Sequence, residues 1–366
     1  MPGKKTRQIR RAFLKIVLAC GSVIVSFIVV EFSLRLTDLR KQIPVANSGL
    51  QYYFESDSDL GADIAKNRPS QTFRFSDGEH ETFSNSYGCF DLDEPPPGDY
   101  VLLVGDSFTW GYTRYDKKWG TELEQRLRRR VLKCGVSGTG TQFQVIKAQK
   151  VVRLVGHAPR ELVVAYSIND FHDDVVFPSQ TVIDGRVVST VKRIHRDSGE
   201  VEYFSADELQ RRYTNRVKRQ VRLKSILRDH SIIANLLWRT LKDTNIQEVF
   251  EDIQNIYDLN LYAMNDSHWV REAWSQHLIS VLKFKKFAEE QGAHLVFVLI
   301  SEKDGRRPTK MAEFLRQSEI EYIDLFSEFE LRGEKMTELY WEYDGHFNEN
   351  GNQVVGSIVA DLIDQK

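Results

Sequence analysis

Cysteine is scarce in this chain, with three in 366 residues, which excludes a disulfide-built scaffold. Nine prolines and 22 glycines fall far short of a collagen-like composition. Neither a GxGxxG fingerprint nor a P-loop spacing is present, so nothing favours a phosphate cradle. There is no internal repeat and no low-complexity tract. A large charge imbalance is missing too, the net charge being -2. What the chain does have is ordinary for a folded protein: 41% apolar, 11% aromatic and 28% charged residues, which rules out a mostly disordered chain.

The small net charge hides a split. Residues 1–41 hold nine Lys/Arg and two acids, a net of +7, which leaves -9 on the remaining 325 residues. An acidic body argues against general nucleic-acid binding, which needs a basic face. The positive charge sits beside an apolar run. Lys4, Lys5, Arg7, Arg10 and Arg11 precede Ala12–Val30, in which Lys15 is the one charged residue. As a helix those 19 residues span about 28 Å, close to the ~30 Å hydrocarbon core of a bilayer. The basic flank places the N-terminus in the cytoplasm and everything after Glu31 outside. Cleavage as a signal peptide fits less well, because Ile28-Val29-Val30-Glu31 lacks a small-x-small site. A lipoprotein site at Val17-Leu18-Ala19-Cys20 would strand apolar residues after the cysteine. A soluble core helix would not begin with such a basic flank. The reading is an uncleaved anchor over residues 1–30. Cys89 and Cys134 then face an oxidising space, although nothing in their spacing demands a disulfide.

Past the anchor, Glu31–Gly49 reads as a stem. Gln71–Ser84 reads as a hairpin turning at Ser76-Asp77-Gly78. Pro95-Pro96-Pro97-Gly98 is a stiff break, and beyond it the rhythm changes. Short apolar runs at Tyr100–Val104, Val131–Val136, Glu161–Ser167, His294–Ile300 and Ile320–Leu325 predict buried strands. Helices are predicted over Lys118–Leu132, ending before the second strand, and over Gln142–Leu154, Trp274–Gln291 and Val354–Ile363. Strands alternating with helices imply a parallel α/β sheet covered on both faces. Phe171–Ala273 lacks that rhythm and reads as an insertion or lid, with a hairpin at Thr181–Val188 and a basic helical stretch at Leu209–Lys242. The basic run Arg211, Arg212, Arg216, Lys218, Arg219, Arg222 and Lys224 reads as a solvated face, or else one that meets anionic lipid headgroups.

Ligands of such sheets gather beyond the carboxyl ends of the strands. Chemically equipped residues stand there. Gly105-Asp106-Ser107 follows the first strand, and a serine becomes a nucleophile if a base takes its proton. Cys134-Gly135-Val136-Ser137-Gly138-Thr139-Gly140 follows the second, with glycines that let a backbone N–H turn inward. Ser167-Ile168-Asn169-Asp170 follows the third, and an asparagine amide can donate to an oxyanion. Asp344-Gly345-His346 precedes the last helix, where a carboxylate two residues away can hold an imidazole in one tautomer. Asp170, His172, Asp173 and Asp174 invite a metal reading, but no second cluster accompanies them. Trp110, Tyr112 and Trp119 could line a sugar subsite, with core packing the plainer reading for Trp119.

The order Ser, Gly, Asn, Asp/His resembles the SGNH, or GDSL-like, hydrolase superfamily over about Tyr100–Asp170 and Leu295–Ile363. The stretch Tyr53–Phe90, with Asp59-Leu60-Gly61 and Asn85-Ser86-Tyr87-Gly88, looks like the N-terminal region of membrane-anchored bacterial members. The resemblance implies a three-layer α/β sandwich around a central parallel sheet (flavodoxin-like), with residues 31–98 as stem and small β segment. Residues 99–366 would form the hydrolase-like domain, with an insertion at about 171–273. It implies Ser107, Asp344 and His346 as catalytic residues, and Ser107, Gly138 and Asn169 as the oxyanion hole. It implies neither metal nor organic cofactor. Three positions depart from the family pattern. Phe108 stands for Leu, Ser167 for the Gly two before the Asn, and one residue rather than two separates Asp344 from His346. That shorter spacing is similar to the one in some polysaccharide O-acetylation proteins of the superfamily. The function expected is a serine-dependent acyl-ester hydrolase acting on a glycan or lipid in the periplasm. The alternatives are an O-acyltransferase working beside a multi-pass membrane acyl donor, and a non-catalytic scaffold.

Overall fold

The computed structural model describes residues 4–37, 50, 52–75, 77–220, 231–234, 236, 261 and 267–364. The expected stem beyond Thr37 and much of the basic helical stretch lie outside the described residues. Within the basic run, Arg211 and Arg212 have described side chains, and both are exposed. The chain divides into two compact units, Met1–Val45 with Arg216–Glu248, and Ala46–Asn215 with Val249–Lys366.

In the first unit, helix α1 runs Lys4–Arg35 and extends past the apolar run at both ends. Its portion Phe13–Arg35 is long and apolar enough to cross a membrane, and none of its most apolar window is buried in protein. Near its end the Glu31 carboxylate accepts hydrogen bonds from Ser231 Oγ (2.9 Å) and from the N–H groups of Ile232 (3.0 Å) and Ile233 (3.1 Å). Those N–H groups open a helical turn and need an acceptor, which Glu31 supplies.

The second unit is built on the five strands that the apolar runs predict. They are β5 (Val101–Val104), β6 (Val131–Lys133), β7 (Glu161–Tyr166), β12 (His294–Leu299) and β13 (Glu321–Asp324). All neighbouring pairs are parallel, and the spatial order is β6-β5-β7-β12-β13. Counted along the chain this is 2-1-3-4-5, so the order reverses between β5 and β7. Alternate side chains enter opposite layers. Leu102, Val104, Leu162, Val164, Phe297 and Leu299 pack with α4 (Thr141–Val155), α7 (His268–Gln291) and α8 (Thr309–Gln317). Val101, Leu103, Val163, Ala165, Val296 and Val298 pack with α3 (Trp119–Leu127), α9 (Leu325–Arg332) and α11 (Glu349–Asp364). Helix α3 stops earlier than the sequence suggests. Arg128 takes a left-handed conformation (φ 50°), which ends the helix in time for β6.

The segment from Ala46 to the triple proline belongs to the same unit. It forms two hairpins, β1–β2 (Phe54–Asp57, Gly61–Ile64) and β3–β4 (Gln71–Phe75, Gly78–Thr82). Buried charges tie this segment down. Lys147 of α4 reaches the Asp63 carboxylate (2.7 Å) and the Gly88 carbonyl (2.8 Å). Asp91 pairs with Arg130 (2.9 Å) and Lys133 (3.2 Å). Burial pushes the Asp91 carboxyl upward, but the two cations beside it prevail and hold it below its ordinary value. A disulfide joins Cys89 to Cys134, the pairing that spacing left open. Cys134 leads directly into the glycine-rich loop after β6, so the cross-link anchors that loop to the N-terminal segment.

The expected Thr181–Val188 hairpin is present as β8–β9 (Gln180–Ile183, Arg186–Ser189), followed by β10–β11 (Val191–Ile194, Val201–Tyr203) and α6 (Ala206–Gln220). The described residues also form the short helices α2 (Ser107–Trp110), α5 (Asn169–Val175) and α10 (Met336–Leu339) and a 3-10 turn at Tyr115–Lys117.

Candidate active site

Strand β5 ends at Val104, and the chain turns at once into α2. The turn is tight: a Cβ on Gly105 would lie 2.3 Å from Thr109 Oγ1 and 2.9 Å from Ala165 Cβ, so only glycine fits. Asp106 caps α2 by accepting the Phe108 N–H (3.0 Å). Ser107 is thereby fixed at the carboxyl end of the sheet, beside the crevice where strand order reverses.

The last loop before α11 comes to meet it. His346 Nε2 lies 2.7 Å from Ser107 Oγ, across 239 residues of sequence. The other ring nitrogen, Nδ1, donates to Asp344 Oδ1. The loop is closed at its base by the Tyr340–Phe347 bridge and by the Trp341 N–H donating to the His346 carbonyl (2.8 Å). Two aromatic side chains hold the imidazole. Tyr112 stacks on it with ring centroids 4.1 Å apart and planes 9° from parallel, and Phe108 packs at 4.8 Å. The ring is thus fixed with one nitrogen toward a carboxylate and the other toward a hydroxyl. In that geometry it can accept the hydroxyl proton.

Asn169 reaches the same place from β7. Asp106 Oδ2 accepts from Asn169 Nδ2 (2.9 Å) and from Ser167 Oγ (3.3 Å), and lies 3.4 Å from Ser107 Oγ. The serine that stands where glycine was expected lies between Asp106 Oδ2 and Asn169 Oδ1, and its one hydroxyl proton serves either acceptor. Gly138 lies on the loop after β6 with φ +73°, a left-handed conformation that favours glycine. Its carbonyl accepts Gln180 Nε2 (3.1 Å) from the β8–β9 hairpin. Among the described residues, neither the Ser107 nor the Gly138 N–H has a hydrogen-bond partner. A small pocket opens beside Gly138, with Leu60, Phe143, Asp173, Phe177 and Gln180 on its walls.

The acidic residues after β7 have structural partners. His172 Nδ1 bonds the Ile168 carbonyl (3.0 Å), and its Nε2 accepts the Leu261 N–H (3.2 Å). Asp174 pairs with His277 (2.6 Å) and accepts the Gln142 N–H (2.8 Å) at the start of α4. Asp170 accepts Gln144 Nε2 (3.1 Å); burial, and then the nearby Asp106, Asp173 and Asp174, push its carboxyl well above its ordinary value. Among the described residues no group of three or more His, Cys, Asp or Glu is placed to hold a metal. Trp110 and Trp119 are buried, and Trp119 Nε1 donates to the Phe108 carbonyl (3.2 Å), so neither lines a sugar subsite.

Three residues near the centre carry no motif. Tyr112 covers the imidazole. Glu302, on the loop after β12, sits close enough to Asp106 and His346 to feel both charges, and burial raises its carboxyl. Asp77, in the β3–β4 turn, bonds the loop that carries Asp344. Tyr112 was named in the sequence as a ring that could line a sugar subsite, and the structure stacks it on the imidazole instead; Asp77 and Glu302 are brought in by the tertiary fold alone, so no spacing signal could have found them.

No family model matches the chain. No curated protein matches it either. Solved structures match at low similarity. A member of the lipolytic protein G-D-S-L family from Veillonella parvula superposes with a TM-score of 0.37 and 11% identity, over 73% of this chain and 99% of that one. The lipase/acylhydrolase from Enterococcus faecalis gives 0.33 and 12%, over 73% and 96%. A two-domain esterase active on acetylated mannans gives 0.35 and 11%, over 73% of this chain and 49% of that one. Similarity at this level leaves the chemistry to be read from the site's own geometry.

Proposed function

We propose that the chain is a serine-dependent acyl-ester hydrolase of the SGNH, or GDSL-like, type. The observation that carries this reading is the line of hydrogen bonds from Ser107 Oγ through His346 to Asp344, set beside the β5/β7 crevice. His346 takes the Ser107 proton as Oγ attacks the ester carbonyl. The Asp344 carboxylate stabilises the imidazolium that forms. The carbonyl oxygen becomes an oxyanion, and the N–H groups of Ser107 and Gly138, which have no partner among the described residues, are the donors on hand; the Asn169 amide, whose Nδ2 donates to Asp106 (2.9 Å), is the third donor once it turns from that carboxylate. Collapse of the adduct breaks the ester C–O bond, and His346 returns its proton to the departing alcohol. Water gives a proton to His346 and attacks the acyl-enzyme; the acyl C–Oγ bond breaks, His346 returns the proton to Ser107 Oγ, and the acid leaves.

The substrate class in this reading is an acylated glycan or lipid outside the cytoplasmic membrane, with α1 as an uncleaved anchor and its basic end in the cytoplasm. One residue rather than two between Asp344 and His346 also favours a second reading, transfer of the acyl group to a sugar hydroxyl in place of water. The experiment measures p-nitrophenyl acetate hydrolysis, and acetate release from acetylated glycans with and without acceptor glycan. Ser107→Ala is expected to lower kcat by at least about 10³-fold. Unchanged turnover in that variant would remove Ser107 as nucleophile. Acceptor-dependent loss of free acetate would move the reading from hydrolysis to transfer.

A further inference from the structure

The loop that carries Asp344 is closed at its base, but its tip must be held from elsewhere. Residues 341–346 form neither helix nor strand, and Gly345 at φ +89° gives the tip a flexible joint. Lys303, after β12, donates to the Trp341 carbonyl (2.8 Å) and to the Glu342 carbonyl, at the start of the loop. A second outside contact, to the residues next to the histidine, comes from the N-terminal segment through the turn of the β3–β4 hairpin. Asp77 Oδ2 accepts the Asp344 N–H (2.8 Å) and the Tyr343 N–H (3.2 Å), and Asp77 Oδ1 accepts the Tyr343 N–H (3.1 Å). Two consecutive backbone donors thus converge on one half-buried carboxylate, 267 residues away along the chain from Asp344. Charge-assisted bonds of this kind are stronger than neutral ones.

The same hairpin also reaches the other side of the imidazole. Phe75 packs edge-on against Tyr112 (5.7 Å) and Trp341 (5.6 Å), and Tyr112 is the ring that stacks on His346. Trp341 Nε1 in turn donates to the Tyr112 carbonyl (2.8 Å). One hairpin therefore touches the support of the aspartate and the support of the histidine.

We propose that Asp77 is a positioning residue: it clamps the tip of the 341–346 loop and so keeps the Asp344 carboxylate in line with His346 Nδ1. Asp77 touches neither the hydroxyl nor the ring, so it acts through Asp344. Its kinetic consequence rests on the esterase reading above, whereas the clamp itself is a matter of geometry.

The test uses the full chain in detergent with three readouts: kcat and KM on p-nitrophenyl acetate, thermal unfolding, and the low-field proton resonance of the His346 Nδ1–H bonded to Asp344. Loss of that resonance in Asp344→Ala identifies it. Asp77→Ala is expected to lower kcat about 10- to 100-fold with KM within about 2-fold, and to abolish or shift the resonance. Asp77→Asn keeps a carbonyl oxygen where Oδ2 accepts both N–H groups, and is expected to return kcat to within about 5-fold and restore the resonance. Glu79→Ala removes an exposed ion pair with Arg74 on the same hairpin and is expected to change neither kcat nor the resonance. The clamp is overturned if Asp77→Ala keeps both kcat and the resonance. It is equally overturned if Glu79→Ala reproduces the losses, since the effect would then be general loosening of the hairpin. Should Ser107→Ala hydrolyse the ester as fast as the unaltered chain, the esterase reading fails, and the resonance in the Asp77 variants alone decides the clamp.

Discussion

Tyr112 shows how a residue without any motif can matter to proton transfer. Its ring lies parallel to the His346 imidazole, and burial pushes its own phenol up to about 12, so it stays neutral. In the proposed mechanism His346 takes the Ser107 proton and becomes a cation against a π face. Such a contact is worth about 0.5–2 kcal/mol, and it is gained only as the charge develops. Tyr112→Leu is therefore expected to lower kcat/KM about 2- to 30-fold. Tyr112→Phe keeps the ring and gives up only the long contact to Ser137 (3.4 Å), so it is expected to stay within about 2-fold. Steady-state kinetics on a simple ester check both, and a leucine variant with full activity would dismiss the stack as mere packing. The motif-bearing residues behave differently. Ser107, Asn169, Asp344 and His346 could be picked out because each follows an apolar run or precedes the last helix. The contacts of Tyr112, Asp77 and Glu302 with the triad could not, because they are made by the tertiary fold: Trp341 meets Tyr112 and Asp344 meets Asp77 across more than 200 residues.

At the scale of elements, the sheet was legible and its surroundings were less so. Strands buried on both faces read as short apolar runs, and all five runs became strands. The β1 sequence, Phe-Glu-Ser-Asp, has no such pattern, and its hairpin was not foreseen. Helix α8 buries only Met311 and Leu315, too few positions to show a period. The β3–β4 hairpin was foreseen, but not what it packs against. Within it His80 is 4% exposed, stacks on Phe90, and among the described residues has no partner for either ring nitrogen. Burial, reinforced by nearby Lys118, pushes its pKa down from 6.5 to about 4. Between those values the unfolded chain binds the proton and the folded one does not, so stability rises with pH across that window. The contribution is fully present above about pH 6.5 and is lost as pH falls toward 4, by about 3 kcal/mol. His80→Phe removes the group, and its melting temperature is expected to fall less between pH 6.5 and 4 than that of the unaltered chain. Thermal melts at half-unit pH steps decide it, parallel curves counting against His80.

The whole molecule joins an N-terminal segment of net charge +7 to a body of net charge -9. A helix whose Phe13–Arg35 portion has the length and apolarity of a membrane span follows the basic residues immediately. Its mid-section, around Val23 and Val25, is exposed and makes no protein core. If that section lies at the centre of a bilayer, as the proposed anchor requires, an arginine there costs about 2.5–3.5 kcal/mol on the insertion scale. Two of them, Val23→Arg with Val25→Arg, should prevent insertion, whereas the same pair on a helix exposed to water would cost almost nothing. Alkaline carbonate extraction distinguishes these cases. The unaltered chain is expected in the membrane pellet and the doubly substituted chain in the supernatant. Protease added to spheroplasts is expected to digest the body of the unaltered chain, because the proposed orientation, with the positive flank inside, leaves only the first dozen or so residues in the cytoplasm. A body protected until the membrane is opened would reverse the orientation, and with it the claim that the ester substrate lies outside the cell membrane.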